Sequence, residues 1–241
     1  MECDPPLQNR RALVTGGTRG IGLAVARKLA SLGAEVVVSG RSDTKPTSVA
    51  FRYLPADFSV PAQLDAFCSA VEAESPDIVV NNAGINRVAP FEQVTTRDFL
   101  DVLSVNLVAP FQVCRAAVPA MKRRGWGRIV NCASIFGVVS KEFRAAYSAS
   151  KFGLDGMTAA LAAEVVRYGI LANCVSPGFI DTDLTRTILG ETGIATLTSA
   201  VPARRLGTPD EIAELVAWLA GPRNSFVSGQ NYVIDGGFTR V

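Results

Sequence analysis

The sequence contains no histidine. That absence excludes a Ser–His–Asp or Cys–His nucleophile, a histidine general acid and nearly every catalytic zinc site. Cysteine is scarce, at five isolated residues (Cys3, Cys68, Cys114, Cys132 and Cys174), with no Cys-x-x-Cys pair. An odd, scattered set points to buried thiols in a reducing compartment, not to a disulfide framework, and no metal site is expected. Charge of one sign is lacking too: 24 basic against 22 acidic residues leave a net +2, so nothing calls for nucleic acid or an anionic membrane. Apolar runs are short and interrupted, below the roughly 20 residues that span a bilayer. The stretch Met1-Glu2-Cys3-Asp4-Pro5-Pro6 has no basic region leading into an apolar one, so no secretory signal is read. A cytoplasmic protein is the expectation.

What is present is a globular composition: 241 residues, 48% hydrophobic and 19% charged, ample for a packed core. Apolar runs alternate with stretches of helical period, the pattern of a parallel sheet with crossover helices. Strands are predicted around Ala12–Val14, Val36–Val38, Phe51–Leu54, Ile78–Val80, Arg128–Val130, Ala172–Val175 and Tyr232–Ile234. Ile21, Val25, Leu29 and Leu32 share one helix face, and Gly33 supplies the stop. No repeat, low-complexity tract or linker divides residues 1–241, so one domain is read. Two stretches break the pattern. Residues 41–51, with Thr44, Pro46, Thr47 and Ser48, are too short and polar for a crossover helix and predict a loop or single turn. Residues 179–205, rich in Thr and Gly, predict a mobile substrate lid.

Between the first strand and first helix stands Thr15-Gly16-Gly17-Thr18-Arg19-Gly20-Ile21-Gly22. Glycines there let the backbone approach a pyrophosphate, whose charge the helix amino end meets; the bland alternative is a tight strand–helix turn. The usual Gly-x-Gly-x-x-Gly is not matched literally, because Val25 occupies the third position. A site for NAD(H) places a carboxylate at the end of the second strand to take the ribose hydroxyls. Here that strand ends Ser39-Gly40-Arg41. A guanidinium binds a 2′-phosphate that a carboxylate would repel, so Arg41, assisted by Arg19, points to NADP(H) over NAD(H), unless both arginines are merely solvated.

Tyr147-Ser148-Ala149-Ser150-Lys151 puts a phenol and an ammonium four residues apart, on one face of a helix. Tyrosine is a poor acid at neutrality, and an adjacent cation stabilises phenolate, which fits the phenol to give a carbonyl oxygen its proton. Alone, such a pair is commonplace. Ser134, just past the fifth strand, stands at the carboxyl rim where open parallel sheets bind ligands, placed to polarise the same oxygen. Asn81-Asn82-Ala83-Gly84 follows the fourth strand at that rim, and Asn106 lies in the helical segment beyond.

Taken together, Thr-Gly-x-x-x-Gly-x-Gly, Asn-Asn-Ala-Gly, Ser, Tyr-x-x-x-Lys and Pro-Gly occur in the order of the short-chain dehydrogenase/reductases, which the chain resembles from about Arg11 to Gly237. The resemblance implies an α/β, doubly wound Rossmann domain with a seven-stranded parallel sheet, helices on both faces, and a homotetramer or homodimer. It makes Tyr147 the proton donor, Ser134 the group that polarises the carbonyl, and Lys151 the residue that acidifies the tyrosine and holds the nicotinamide ribose. Asn106 would hold a water on the proton relay. Gly16, Thr18, Arg19, Gly20, Ile21, Gly22 and Arg41 would bind the phosphates, and Asp57 the adenine. Asn82, Ala83 and Gly84 would lie along the adenosine side, and Pro177, Gly178, Ile180 and Thr182 at the carboxamide end.

Within the family the chain is most similar to carbonyl reductases related to 3-oxoacyl-carrier-protein reductase. The carrier-docking arginines of that group fall here on Gly125 and Tyr168, with Arg124 and Arg167 one residue away. One residue turns a helical side chain by about 100°, so a free ketone or keto-sugar is expected instead. An NAD-dependent alcohol or sugar dehydrogenase working oxidatively, a carrier-protein reductase, and a silent nucleotide-binding scaffold are the alternatives. Candidate pocket residues Ile135, Phe136, Phe143, Phe179, Leu184 and Ile188 are apolar and imply a neutral carbonyl compound. Arg87 and Lys141 would serve an acid, though lone surface cations are the commoner case.

Overall fold

The computed structural model describes residues 6–241; the side chains of Asp183, Leu184 and residues 187–192 lie outside the described set, as do residues 1–5. Seven parallel strands form one sheet: β1 (Arg11–Thr15), β2 (Glu35–Gly40), β3 (Arg52–Pro55), β4 (Ile78–Asn81), β5 (Gly127–Cys132), β6 (Ile170–Pro177) and β7 (Asn231–Ile234). Their order is β3-β2-β1-β4-β5-β6-β7. Successive side chains point to opposite faces, and both faces are covered. Val14, Val36, Val38, Ile78, Val80 and Val130 pack under α1 (Gly20–Ser31) and α7 (Pro209–Ala220). Leu13, Val37, Val79, Ile129 and Ala172 pack under α2 (Pro61–Glu74), α4 (Ala109–Arg124) and α5 (Ala145–Val165). All seven predicted strands and the first helix stand where the sequence placed them, within a residue or two.

The chain winds outward from β1 to β3, then returns to lay β4 on the other side of β1, with Thr15 paired to Asn81. This switch point opens a crevice at the strands' carboxyl ends. No helix joins β2 to β3, as residues 41–51 predicted. Instead the Tyr53 hydroxyl donates to the Ser42 carbonyl at 2.5 Å, tying the loop back over β3.

Two features differ from expectation. Residues 179–205 are not a loop: most of them form α6 (Asp183–Ala200), begun by Thr182, whose hydroxyl accepts the Thr185 amide. Threonine and glycine are poor helix formers, so composition alone reads as loop, and the cap and tertiary setting override it. Second, α3 (Thr96–Leu103), a π-helical turn (Ser104–Val108) and α4 run on as 29 helical residues, long and apolar enough by composition to cross a bilayer. More than half of its apolar window is buried inside the protein, which accounts for the composition.

Candidate active site

The glycine loop is held open from below. The Asn82 amide donates to the carbonyls of Thr15 and Gly16 at 3.1 Å each, and the Thr15 hydroxyl accepts the backbone amides of Asn82 and Ala83. Asn82 thus braces the loop and does not turn its side chain outward. A Cβ on Gly22 would meet the Gly16 carbonyl oxygen at 2.3 Å and the Asn82 amide nitrogen at 2.4 Å, so no other residue fits. Gly16 itself sits at φ +63°. At the amino end of α1, Arg19 provides no side-chain cap and the first turn has no acidic residue, leaving the amides for an outside anion. Across the cleft, the Thr182 methyl stands 3.5 Å from where a Gly20 Cβ would be. The Thr182 hydroxyl is engaged in capping α6, and Ile180 is buried beside it, bridged to Gly207. Gly178, after Pro177 at the end of β6, donates its amide to Ile234.

Arg41 emerges just past β2, exposed, as is Arg19, and neither forms an ion pair among the described residues. Thr18 leans on the end of β2, its methyl 3.0 Å from a Cβ built on Gly40. Ile21 packs on the core beneath. Asp57 follows β3. Hydrogen bonds from the Ser59 hydroxyl and amide hold its carboxyl below the usual range, and the Arg41 charge adds to the effect, so the two side chains share one corner of the cleft.

On the other side of the switch point, Lys151 is buried and donates to the Cys132 carbonyl at 2.7 Å, where β5 ends. Its ammonium stands 5.6 Å from the centre of the Tyr147 ring, one turn back along α5. Gly84 touches both sides: a Cβ there would lie 3.3 Å from Asn106 Oδ1 and 3.7 Å from Lys151 Nζ. Asn106 lies in the π-helical turn. Its nitrogen donates to the Ile85 carbonyl and the Ser150 hydroxyl, and its oxygen accepts the Ile85 amide. The side chain therefore bolts the β4 loop to α5. Ser134 is buried at the start of a short 3-10 turn, Ile135–Gly137, where its hydroxyl oxygen accepts the Phe136 amide at 3.1 Å. A Cβ on Gly137 would come within 2.9 Å of the Lys151 backbone, so glycine alone lets this turn lie against α5.

Beneath the rim runs a buried polar line that sequence reasoning missed. Asn81 donates to Asn131 at 2.8 Å, Asn131 to the Thr158 hydroxyl at 2.8 Å, and Thr158 to the Leu154 carbonyl. It fixes β4, β5 and α5 against one another, and with them Ser134, Tyr147 and Lys151. Polar residues in the middle of apolar strands were the available signal. The neighbouring cysteines are free thiols; burial pushes Cys114 and Cys174 up to about 12 and Cys132 up to about 11, so they stay protonated.

Of the predicted pocket residues, Phe136 packs edge-on against both Tyr147 and Phe179. Ile135 is instead core, at 1% exposure, and Phe143 is exposed. The side chains of Leu184 and Ile188 lie outside the described residues. Phe238, missed in the sequence, joins the wall at 5.0 Å from Phe179. The Asp235 carboxylate brings it there by accepting the amides of Gly237 and Thr239. Burial alone would raise the Asp235 carboxyl, yet these bonds outweigh it and hold the group low.

The chain is similar to known proteins over nearly its whole length. A family model described as enoyl-(acyl carrier protein) reductase matches residues 16–239. The chain is 36% identical to a 3-oxoacyl-(acyl-carrier-protein) reductase of Vibrio cholerae, over 98% of this chain and 99% of that one. It is 35% identical to an acetoacetyl-CoA reductase of Cupriavidus necator, over 96% and 98%. Among solved structures, a gluconate 5-dehydrogenase of Burkholderia cenocepacia in complex with NADP and tartrate superimposes with a TM-score of 0.90 at 35% identity, covering 99% of this chain and 98% of that one.

Proposed function

The chain belongs to the short-chain dehydrogenase/reductase family, and from that premise we propose that it reduces the carbonyl of a small molecule to a secondary alcohol at the expense of NADPH. The observation that carries this reading is the placement of Tyr147, with the Lys151 ammonium 5.6 Å from its ring, at the rim where the glycine loop also opens.

The residues present fit a dinucleotide. The space kept by Gly22 and the uncapped end of α1 suit a pyrophosphate, and the unpaired Arg19 and Arg41 suit a 2′-phosphate. On this reading Asp57, Ala83 and Gly84 would hold the adenosine side, and Pro177, Gly178, Ile180 and Thr182 the carboxamide end. Bound there, the reduced nicotinamide supplies a hydride. Tyr147 gives its hydroxyl proton to the carbonyl oxygen, and the Ser134 hydroxyl donates a hydrogen bond to that oxygen. Lys151, fixed by Cys132, keeps its charge beside the phenolate left behind. On the same reading α6, following Thr182, would serve as the substrate lid.

A free substrate is preferred over a carrier-bound one, because Arg124 is spent on Asp77 at 3.0 Å and on the Pro76 carbonyl. The same reading takes the protein as a homotetramer or homodimer: Leu100, Val108 and Phe111 form an exposed apolar stripe on the long helix, with Phe152 exposed on α5.

A panel of small ketones assayed with each nicotinamide tests the proposal. NADPH is expected to be oxidised with kcat/KM at least about tenfold above NADH, as one lost charge-assisted contact implies. Equal use of NADH would remove the Arg41 argument, and no oxidation of either cofactor by any ketone would remove the reductase reading.

A further inference from the structure

One guanidinium beside the site has no anionic partner among the described residues. Arg144 stands one turn before Tyr147, half-buried, and makes no ion pair among the described residues. Its Nε is buried with no hydrogen-bond partner, and its Nη1 reaches only the Phe143 carbonyl, at 3.3 Å. The guanidinium carbon lies 5.9 Å from the centre of the Phe136 ring, which packs edge-on against Tyr147 at 6.5 Å and Phe179 at 6.4 Å. This cation and the proton donor therefore share one aromatic neighbour, Phe136. Phe143, immediately before it, is held at φ +64°, a conformation a bulky residue adopts only under constraint.

A half-buried charged donor left unpaired against an aromatic wall is costly unless a ligand satisfies it. We infer that Arg144 binds the carboxylate of the substrate, and that the substrate is a short oxo acid whose carbonyl lies between Ser134 and Tyr147. The inference rests on the reductase reading above and replaces the neutral compound that the apolar pocket residues implied. A monoanion fits better than a phosphate dianion, because Arg144 offers one guanidinium and the other two cations considered for an acid do not add to it. Arg87 is turned away to Asp98 at 3.5 Å, and Lys141 is exposed to solvent. A bidentate guanidinium–carboxylate pair discriminates against an uncharged analogue, which leaves the guanidinium without its counter-charge.

The test compares acetoacetate with methyl acetoacetate, the same carbonyl without the charge, using NADPH and the full chain. Wild type is expected to show kcat/KM at least about tenfold higher for the acid, expressed mainly in KM. R144Q should bring the acid-to-ester ratio near one, with R144K between, since an ammonium keeps the charge without the fork. Only folded protein turns over either probe, so the ratio is insensitive to partial misfolding. Butyrate should inhibit ester reduction by the wild type competitively, a readout that needs no variant. An ester used as well as the acid, a ratio unchanged in R144Q, or no inhibition by butyrate overturns the inference and leaves the reductase reading standing. If neither probe nor any neutral ketone oxidises NADPH, the reductase reading falls, and this inference with it.

Discussion

At the scale of single residues, Arg41 and Asp57 divide one corner of the cleft between a cation and an anion. The carboxylate is already satisfied by Ser59, whereas the guanidinium carries no ion pair, so the balance there favours a phosphate. R41A is expected to raise the Kd for NADPH by about tenfold while changing that for NADH by less than twofold, as titration of cofactor fluorescence would show. An equal loss for both cofactors would mean that Arg41 shapes the loop and does not read the phosphate. Arg41, Ser134, Tyr147 and Lys151 were legible in the sequence because each occupies a fixed offset from a recognisable strand end or helix repeat. Arg144 and Phe238 were not. The orphaned Nε of Arg144 is a property of how Phe136 and Phe143 pack, and Phe238 reaches the site only through the turn that Asp235 closes.

Among the elements, the seven strands were legible because parallel strands buried on both faces read as unbroken apolar runs bounded by polar turns. α6 was not, because its threonines and glycines argue locally for loop. Nor was the π-helical turn that carries Asn106, since one extra residue per turn leaves no mark on hydrophobic period. The line Asn81–Asn131–Thr158 is what keeps β4, β5 and α5 in register beneath the chemistry. Asn131 is fully buried, so N131A leaves the Asn81 amide and the Thr158 hydroxyl with only weak thiol contacts in its place. Thermal or urea unfolding should show a loss of about 1–3 kcal/mol. Unchanged stability would mean that water or a shifted side chain takes over the bonds, and that the line positions nothing.

For the molecule as a whole, the sheet order sets the outcome: a reversal between β1 and β4 leaves a crevice at the carboxyl ends, the rim at which the glycine loop, the loop of residues 82–84 and Ser134 follow their strands. The outer face of the long helix is free for another purpose. Light scattering is expected to give a dimer or tetramer, and V108E/F111E, which places charge on the exposed stripe, to give a monomer of unchanged helical content. A wild-type monomer would show that the stripe is not an interface. The central claim is the proton transfer itself, and Y147F tests it most directly. With NADPH and an accepted carbonyl substrate, the variant should bind cofactor within a few-fold of wild type and lose at least about a hundredfold in kcat. Turnover near the wild-type rate, with cofactor bound, would contradict the account.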